Sequence, residues 1–105
     1  MNNDEFTQVV TEQLNYCQSL LIKKGDEYDR KTDDRLHTFK IAGALQGEKP
    51  MQALGSMMAK HTISIYDLIK ENNLDENLWA EKITDHINYL LLLKALVKEE
   101  NKNVL

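Results

Sequence analysis

Two stretches carry the side chains whose types and spacing could do chemistry. KHTISIYD holds Lys60, His61, Ser64 and Asp67, and EKITDHIN holds Glu81, Lys82, Asp85 and Asn88. On a helix, at ~100° per residue, positions three, four and seven apart share a face. Glu81, Asp85 and Asn88 therefore form one polar stripe, and Lys60, Ser64 and Asp67 form another. If the two stripes face each other across a helical bundle, carboxylate oxygens from two helices converge, which is how bundles build carboxylate metal sites. Mg²⁺ suits such a set, because it takes one or two carboxylates together with phosphate oxygens and water. Asp67, Glu81 and Asp85 are then the candidate metal ligands. Lys60 and His61 are the candidates to neutralise phosphate or orient a base. The competing expectation is that each stripe is a solvated helix face. His61, on an apolar arc, is in that case a core or interface histidine.

The elements that must position these residues read as helices throughout. One proline and four glycines in 105 residues are few, and the β-branched runs of strands are missing. No internal repeat or low-complexity segment breaks the chain, so a single all-helical domain is expected over residues 1–105. The spacing predicts helices over about 4–24, 34–45, 50–72 and 78–99. In the first, Phe6, Val9, Val10, Leu14, Cys17, Leu20 and Leu21 recur at three- and four-residue intervals, and Gly25 stands as a C-terminal stop. GDEYDRKTDD follows as a charged loop holding Tyr28, with Lys23, Lys24, Arg30 and Arg35 around it as possible phosphate contacts. Asp33 or Asp34 can cap the second helix, and Gly47 ends it. Pro50 opens the third, where Leu54, Met57, Met58, His61, Ile65, Leu68 and Ile69 form the apolar arc. Asp75 and Asn77 are candidate caps for the fourth. Its expected main face is Trp79, Ile83, Ile87, Leu90, Leu93 and Val97.

Four helices of this kind pack as a small antiparallel bundle. Tyr89 to Leu93 (YLLLL) is apolar all round, which signals burial on every side. One bundle layer offers little room for that, so burial between subunits of a homodimer or homotetramer is expected.

The formal net charge is −4. It argues against binding a nucleic-acid backbone through a broad basic face, though it leaves room for nucleotides held through metal ions. Cys17 is the lone cysteine, so no disulfide framework exists within the chain and a reducing compartment fits best. The start, MNNDEFTQVV, has no basic region followed by an apolar run. YLLLL is far too short to span a bilayer. A soluble, cytoplasmic protein with no membrane partner is expected.

RLHTF (35–39), KHTISIYDLI (60–69) and EKITDHINYLLLL (81–93), in that order, resemble a phage protein family. It is close to the nucleotide-modification-associated domain and to the wider all-α nucleoside triphosphate pyrophosphatases, the MazG-like and dimeric dUTPase-like proteins. The likeness covers roughly 23–97. It implies a MazG-like fold and a cytoplasmic setting in a bacterial host. It also implies a reaction in which Mg²⁺, held by Glu-x-x-Glu on one helix and Glu-x-x-Asp on the next, assists cleavage of a nucleoside triphosphate to monophosphate and pyrophosphate. Asp85 matches the aspartate of the second motif. Lys82 stands where its glutamate is expected, with Glu81 beside it, and the first motif falls around Ser64 and Asp67. A lysine in a ligand stripe repels a divalent cation. The site the resemblance implies places metal on Asp67, Glu81 and Asp85. It places phosphate near Lys24, Arg35, Lys60, His61, Ser64 and Lys82, and base or sugar near Tyr28 and Asn88. The alternative expectation is a non-catalytic helical oligomer that binds a host or phage protein.

Overall fold

Asn2 starts the first helix, its side-chain oxygen accepting the Glu5 N–H at 2.8 Å. In the computed structural model the described residues are 1–28 and 34–102, with side chains described for 1–24 and 34–102. Four helices make up that part, α1 (Asn3–Tyr28), α2 (His37–Gln46), α3 (Pro50–Lys70) and α4 (Glu76–Lys102), and no strand occurs among the described residues. Among the described residues no helix is long and apolar enough to cross a membrane.

Helix α1 runs through Gly25, where a stop was expected. One glycine costs a helix only about 1 kcal/mol relative to alanine, and the turn before it is anchored. Lys24 Nζ lies 3.7 Å from the Asp85 carboxylate, and the Leu21 carbonyl accepts a hydrogen bond from Arg35 at 3.3 Å. Of the predicted loop, residues 29–33 lie outside the described residues. Asp34 ends it in a turn, accepting the Leu36 N–H at 3.0 Å, and α2 begins three residues later. Gly47 closes α2 in the left-handed conformation, φ 66°. Gly43 is required there as well, because a Cβ would lie 2.7 Å from the Glu48 carbonyl oxygen. Pro50 takes the first position of α3, as expected. Asn72, at φ 52°, lets the chain leave α3. Of the two cap candidates for α4, Asp75 acts: its Oδ1 accepts the N–H groups of Asn77 and Leu78 at 3.0 and 3.2 Å. Trp79 donates its indole N–H to the Asn73 carbonyl at 2.6 Å and pins the turn.

The core lies between α2, α3 and α4. Leu36, Phe39, Leu54 and Leu96 are buried at its centre, with Met57, Met58, Tyr89, Leu92 and Leu93 packed around them. Helix α1 attaches to α4 through a polar clasp. Gln13 donates to the Thr84 hydroxyl at 2.7 Å and to Cys17 Sγ at 3.2 Å, and Thr84 and Cys17 are fully buried.

Helix α4 is turned over relative to its expected apolar face. Ile83, Leu90 and Val97 are exposed, and Thr84, Asn88 and Leu96 are buried instead. The YLLLL segment divides: Tyr89, Leu92 and Leu93 pack on the core within the chain, while Leu90 and Leu91 remain exposed. The first half of α1 is also uncovered, with Phe6 60% and Leu14 54% exposed. The chain is accordingly extended. Its radius of gyration is 16.0 Å, against about 13 Å for a compact domain of this length. It exposes 8074 Å², against about 6,100 Å² for a compact chain of its mass.

Leu54 has no exposed surface, so Leu54→Ala should lower unfolding stability by about 2–5 kcal/mol, read as a fall in the urea midpoint with an unchanged slope. A second expectation concerns pH. Lys40 bonds Asp34 at 2.6 Å and also pairs with Glu99, tying the start of α2 to the end of α4. The hydrogen bond from Lys40 holds the Asp34 carboxyl below its ordinary 3.8, and the bonds Lys40 donates to Asp34 and then to Glu99 raise Lys40 above its ordinary 10.5. A depressed acid stabilises above its unfolded pKa and loses that contribution as pH falls through the folded value. A raised amine stabilises below its unfolded pKa and loses that contribution on the alkaline side. Stability from this clasp is therefore full between about pH 4 and pH 10 and fades outside that window. In Lys40→Met, urea midpoints should vary less at both extremes than in the parent protein.

Candidate ligand cavity

All four helices meet around one open cavity of about 270 Å³. Leu21, Phe39, Met57 and Leu92 supply its apolar wall. Lys24 comes from the end of α1, Arg35 from the turn before α2, Thr38 from the first turn of α2, and Asp85, Asn88 and Tyr89 from successive turns of α4. Helical spacing accounts for the α4 group. Asp85, Asn88 and Leu92 lie three and four residues apart and share a face, with Tyr89 beside them. Those residues point inward because α4 exposes Ile83, Leu90 and Val97 on its opposite side.

Asn88 is the unusual member. It is 5% exposed, and neither its amide nitrogen nor its amide oxygen has a hydrogen-bond partner among the described residues. A buried donor and acceptor left unpaired cost about 1–3 kcal/mol each, so such a side chain calls for an occupant. A carboxamide presents a donor and an acceptor side by side, the pattern that pairs in two-point fashion with the edge of a planar heterocycle. Tyr89 and Phe39 bring ring surfaces to the same cavity. Burial, and then the nearby Asp85 charge, raise the Tyr89 phenol above its ordinary 10, so at neutral pH it keeps its proton and can donate. Behind it, His61 packs with ring centroids 4.9 Å apart and planes at 56°.

Charge is arranged separately from the amide. Among the described lining residues, Lys24 and Arg35 are cationic and Asp85 is acidic, and Arg35 donates to the Leu21 carbonyl. At 3.7 Å the Lys24–Asp85 contact is a loose ion pair, with the Lys24 side chain 43% exposed. A long, partly solvated cation such as Lys24 can turn toward an anionic group at the cavity rim.

The structure gathers Lys24, Arg35, Asp85 and Asn88 of the predicted site residues at one place. The others fall elsewhere. Lys60, Asp67 and Glu81 are exposed, Ser64, Lys82 and His61 are half-buried, and none of the six lines the cavity. The Tyr28 side chain lies outside the described residues. Among the described residues no three acid, histidine or cysteine side chains gather at metal-ligand spacing. Sequence reasoning placed Phe39, Met57 and Tyr89 in the core but not on a cavity. It passed over Thr38, whose signal was its place in RLHTF three residues after Arg35. A second cavity, of about 310 Å³, is bordered by Lys40, Lys49, Glu99 and Glu100. Its Lys40 and Glu99 are already paired to each other.

Set against models of protein families, curated protein sequences and solved structures, the chain has no significant match to any of them.

Replacing the orphaned amide by an apolar side chain of similar size removes its desolvation cost. Asn88→Leu should raise the stability of the free protein by about 1–2 kcal/mol, seen as a melting temperature several degrees higher. A lower melting temperature would show that the amide is satisfied in the free protein.

Proposed function

We propose that this chain is a phage-type, MazG-like domain that binds a nucleotide, with the base inside the α1–α4 cavity and the phosphates at its rim. The observation that carries the reading is the buried, unpartnered Asn88 amide between ring-bearing walls, with Lys24 and Arg35 beside it. The amide reads the edge of a base, Tyr89 and Phe39 flank its faces, and the two cations meet phosphate. A cavity of about 270 Å³ lies at the small end of ligand pockets, which suits a base and part of a sugar with the charged tail outside. Mg²⁺ enters this reading as the counter-ion of the phosphates, with Asp85 as the carboxylate nearest to it. The second reading is a non-catalytic helical oligomer, a dimer or tetramer, that binds a host or phage protein. Self-association is supported by the roughly 2,000 Å² of surface beyond that of a compact chain.

A panel of ribo- and deoxyribonucleotides with Mg²⁺, read by thermal shift and calorimetry, tests the reading. Nucleotides should raise the melting temperature, and nucleosides and pyrophosphate alone should do so less. Asn88→Leu and Lys24→Met should each weaken binding about tenfold or more, since 1.4 kcal/mol is one decade. Assay of released pyrophosphate separates binding from turnover. No shift with any nucleotide would remove the proposal.

A further inference from the structure

Helix α1 is held to the rest of the chain by little apolar surface. Of its described side chains, Cys17 alone is buried, Gln13, Leu20, Leu21 and Lys24 are half-buried, and the others are exposed. At ~100° per residue those five fall within about 100° of one another, so they form one docked face. That face reaches α4 through a polar contact, the Gln13 amide on the Thr84 hydroxyl. Among the described residues, the core cluster around Leu54 takes none from α1. Helix α3 packs on both α2 and α4, and α1 packs on α4. Segments with few buried apolar contacts open at free energies below that of global unfolding. The cavity lies on this seam. Leu21 and Lys24 reach it from α1, and Thr38, Phe39, Met57 and Asn88 from the three-helix core. A molecule that fills it touches both bodies at once.

From this placement we infer that α1 is a strap. It undocks from the α2–α4 core as a unit, and a ligand in the cavity clamps it shut. Contacts to Leu21 and Lys24 are available only while α1 is docked, so the ligand binds the docked state more tightly and draws the equilibrium toward it. When the docked state alone binds, docking is favoured by a factor of 1 + [L]/Kd, about a hundredfold at a hundred times Kd. The clamp rests on the proposed nucleotide reading for its ligand; the undocking rests on the packing of α1. Cys17 is a built-in reporter of both. It is the single cysteine of the chain and is buried on the docked face, with the Gln13 amide on its sulfur at 3.2 Å. When α1 leaves α4, the thiol meets solvent.

Labelling of Cys17 in the intact protein by an aromatic disulfide reagent, followed across urea concentrations below the unfolding midpoint, tests the strap. The labelling rate should rise with urea about half as steeply as global unfolding or less, because only α1 opens. Leu54→Ala, which weakens the three-helix core, should leave the rate unchanged. Gln13→Ala, which takes the amide from Thr84, should raise it about two- to tenfold with helical circular dichroism retained. A nucleotide that raises the melting temperature should slow labelling by about a hundredfold at a hundred times its Kd. In the parent protein, a rate with the full urea slope of unfolding means that α1 opens only with the whole molecule, and overturns the strap even if Gln13→Ala fails to fold. A nucleotide that binds and leaves the rate unchanged overturns the clamp. Absence of any nucleotide effect on melting removes the nucleotide reading and the clamp with it, while the urea slope still decides the strap.

Discussion

The rotation of α4 about its own axis is the constraint on which the rest of the structure depends. Thr84 and Asn88 face inward one turn apart, and Ile83, Leu90 and Val97 face out. The inward polar line does two different things. Thr84 takes a hydrogen bond from Gln13 and so docks α1. Asn88, one turn on, takes none and opens onto a cavity. A helix so apolar had a simpler option, to bury its branched stripe and leave the amide in water. The observed orientation keeps an uncompensated amide inside and a greasy stripe outside. Both costs fall on the free single chain. On the proposed reading, a ligand relieves the first.

The cavity depends on the same rotation. With Asn88, Tyr89 and Leu92 turned inward, the end of α1 can close over them, and Lys24 and Arg35 arrive at the rim. Arg35 in turn reaches back to the Leu21 carbonyl, so the segment before α2 is fastened to the helix that bounds the site. The Lys40 clasp to Asp34 and Glu99 holds the other end of that segment. Recognition and scaffold therefore share residues, and substitutions along 34–40 should be felt in both.

Local signals in the sequence were dependable where the chemistry is local. Pro50 opens a helix because its missing N–H costs nothing there, Gly47 closes one because it tolerates a positive φ, and Asp75 caps one through its side chain. Gly25 misled, because tertiary contacts at Leu21 and Lys24 outweigh a weak local preference. The inward face of α4 was not legible. Apolar residues surround that helix, so periodicity gives little contrast, and the choice is made by what α1, α2 and α3 offer. The predicted stripe of Glu81, Asp85 and Asn88 is real as a line on the helix, yet it descends from exposed Glu81 through half-buried Asp85 to buried Asn88. Spacing places residues on one line; it does not fix how deep each lies. That is why Asp85 and Asn88 line the cavity while Glu81, on the same line one turn earlier, is exposed.

The most direct measurement follows the side-chain amide of Asn88 itself, in ¹⁵N-resolved NMR spectra of the intact protein. An inward, unpaired amide poised for a base predicts exchange with water slower than at exposed asparagines such as Asn77. It also predicts a chemical-shift change on nucleotide addition larger than at any other side-chain amide. Exchange as fast as at Asn77, with no movement on adding nucleotide, would contradict the orientation of α4 and the site built on it.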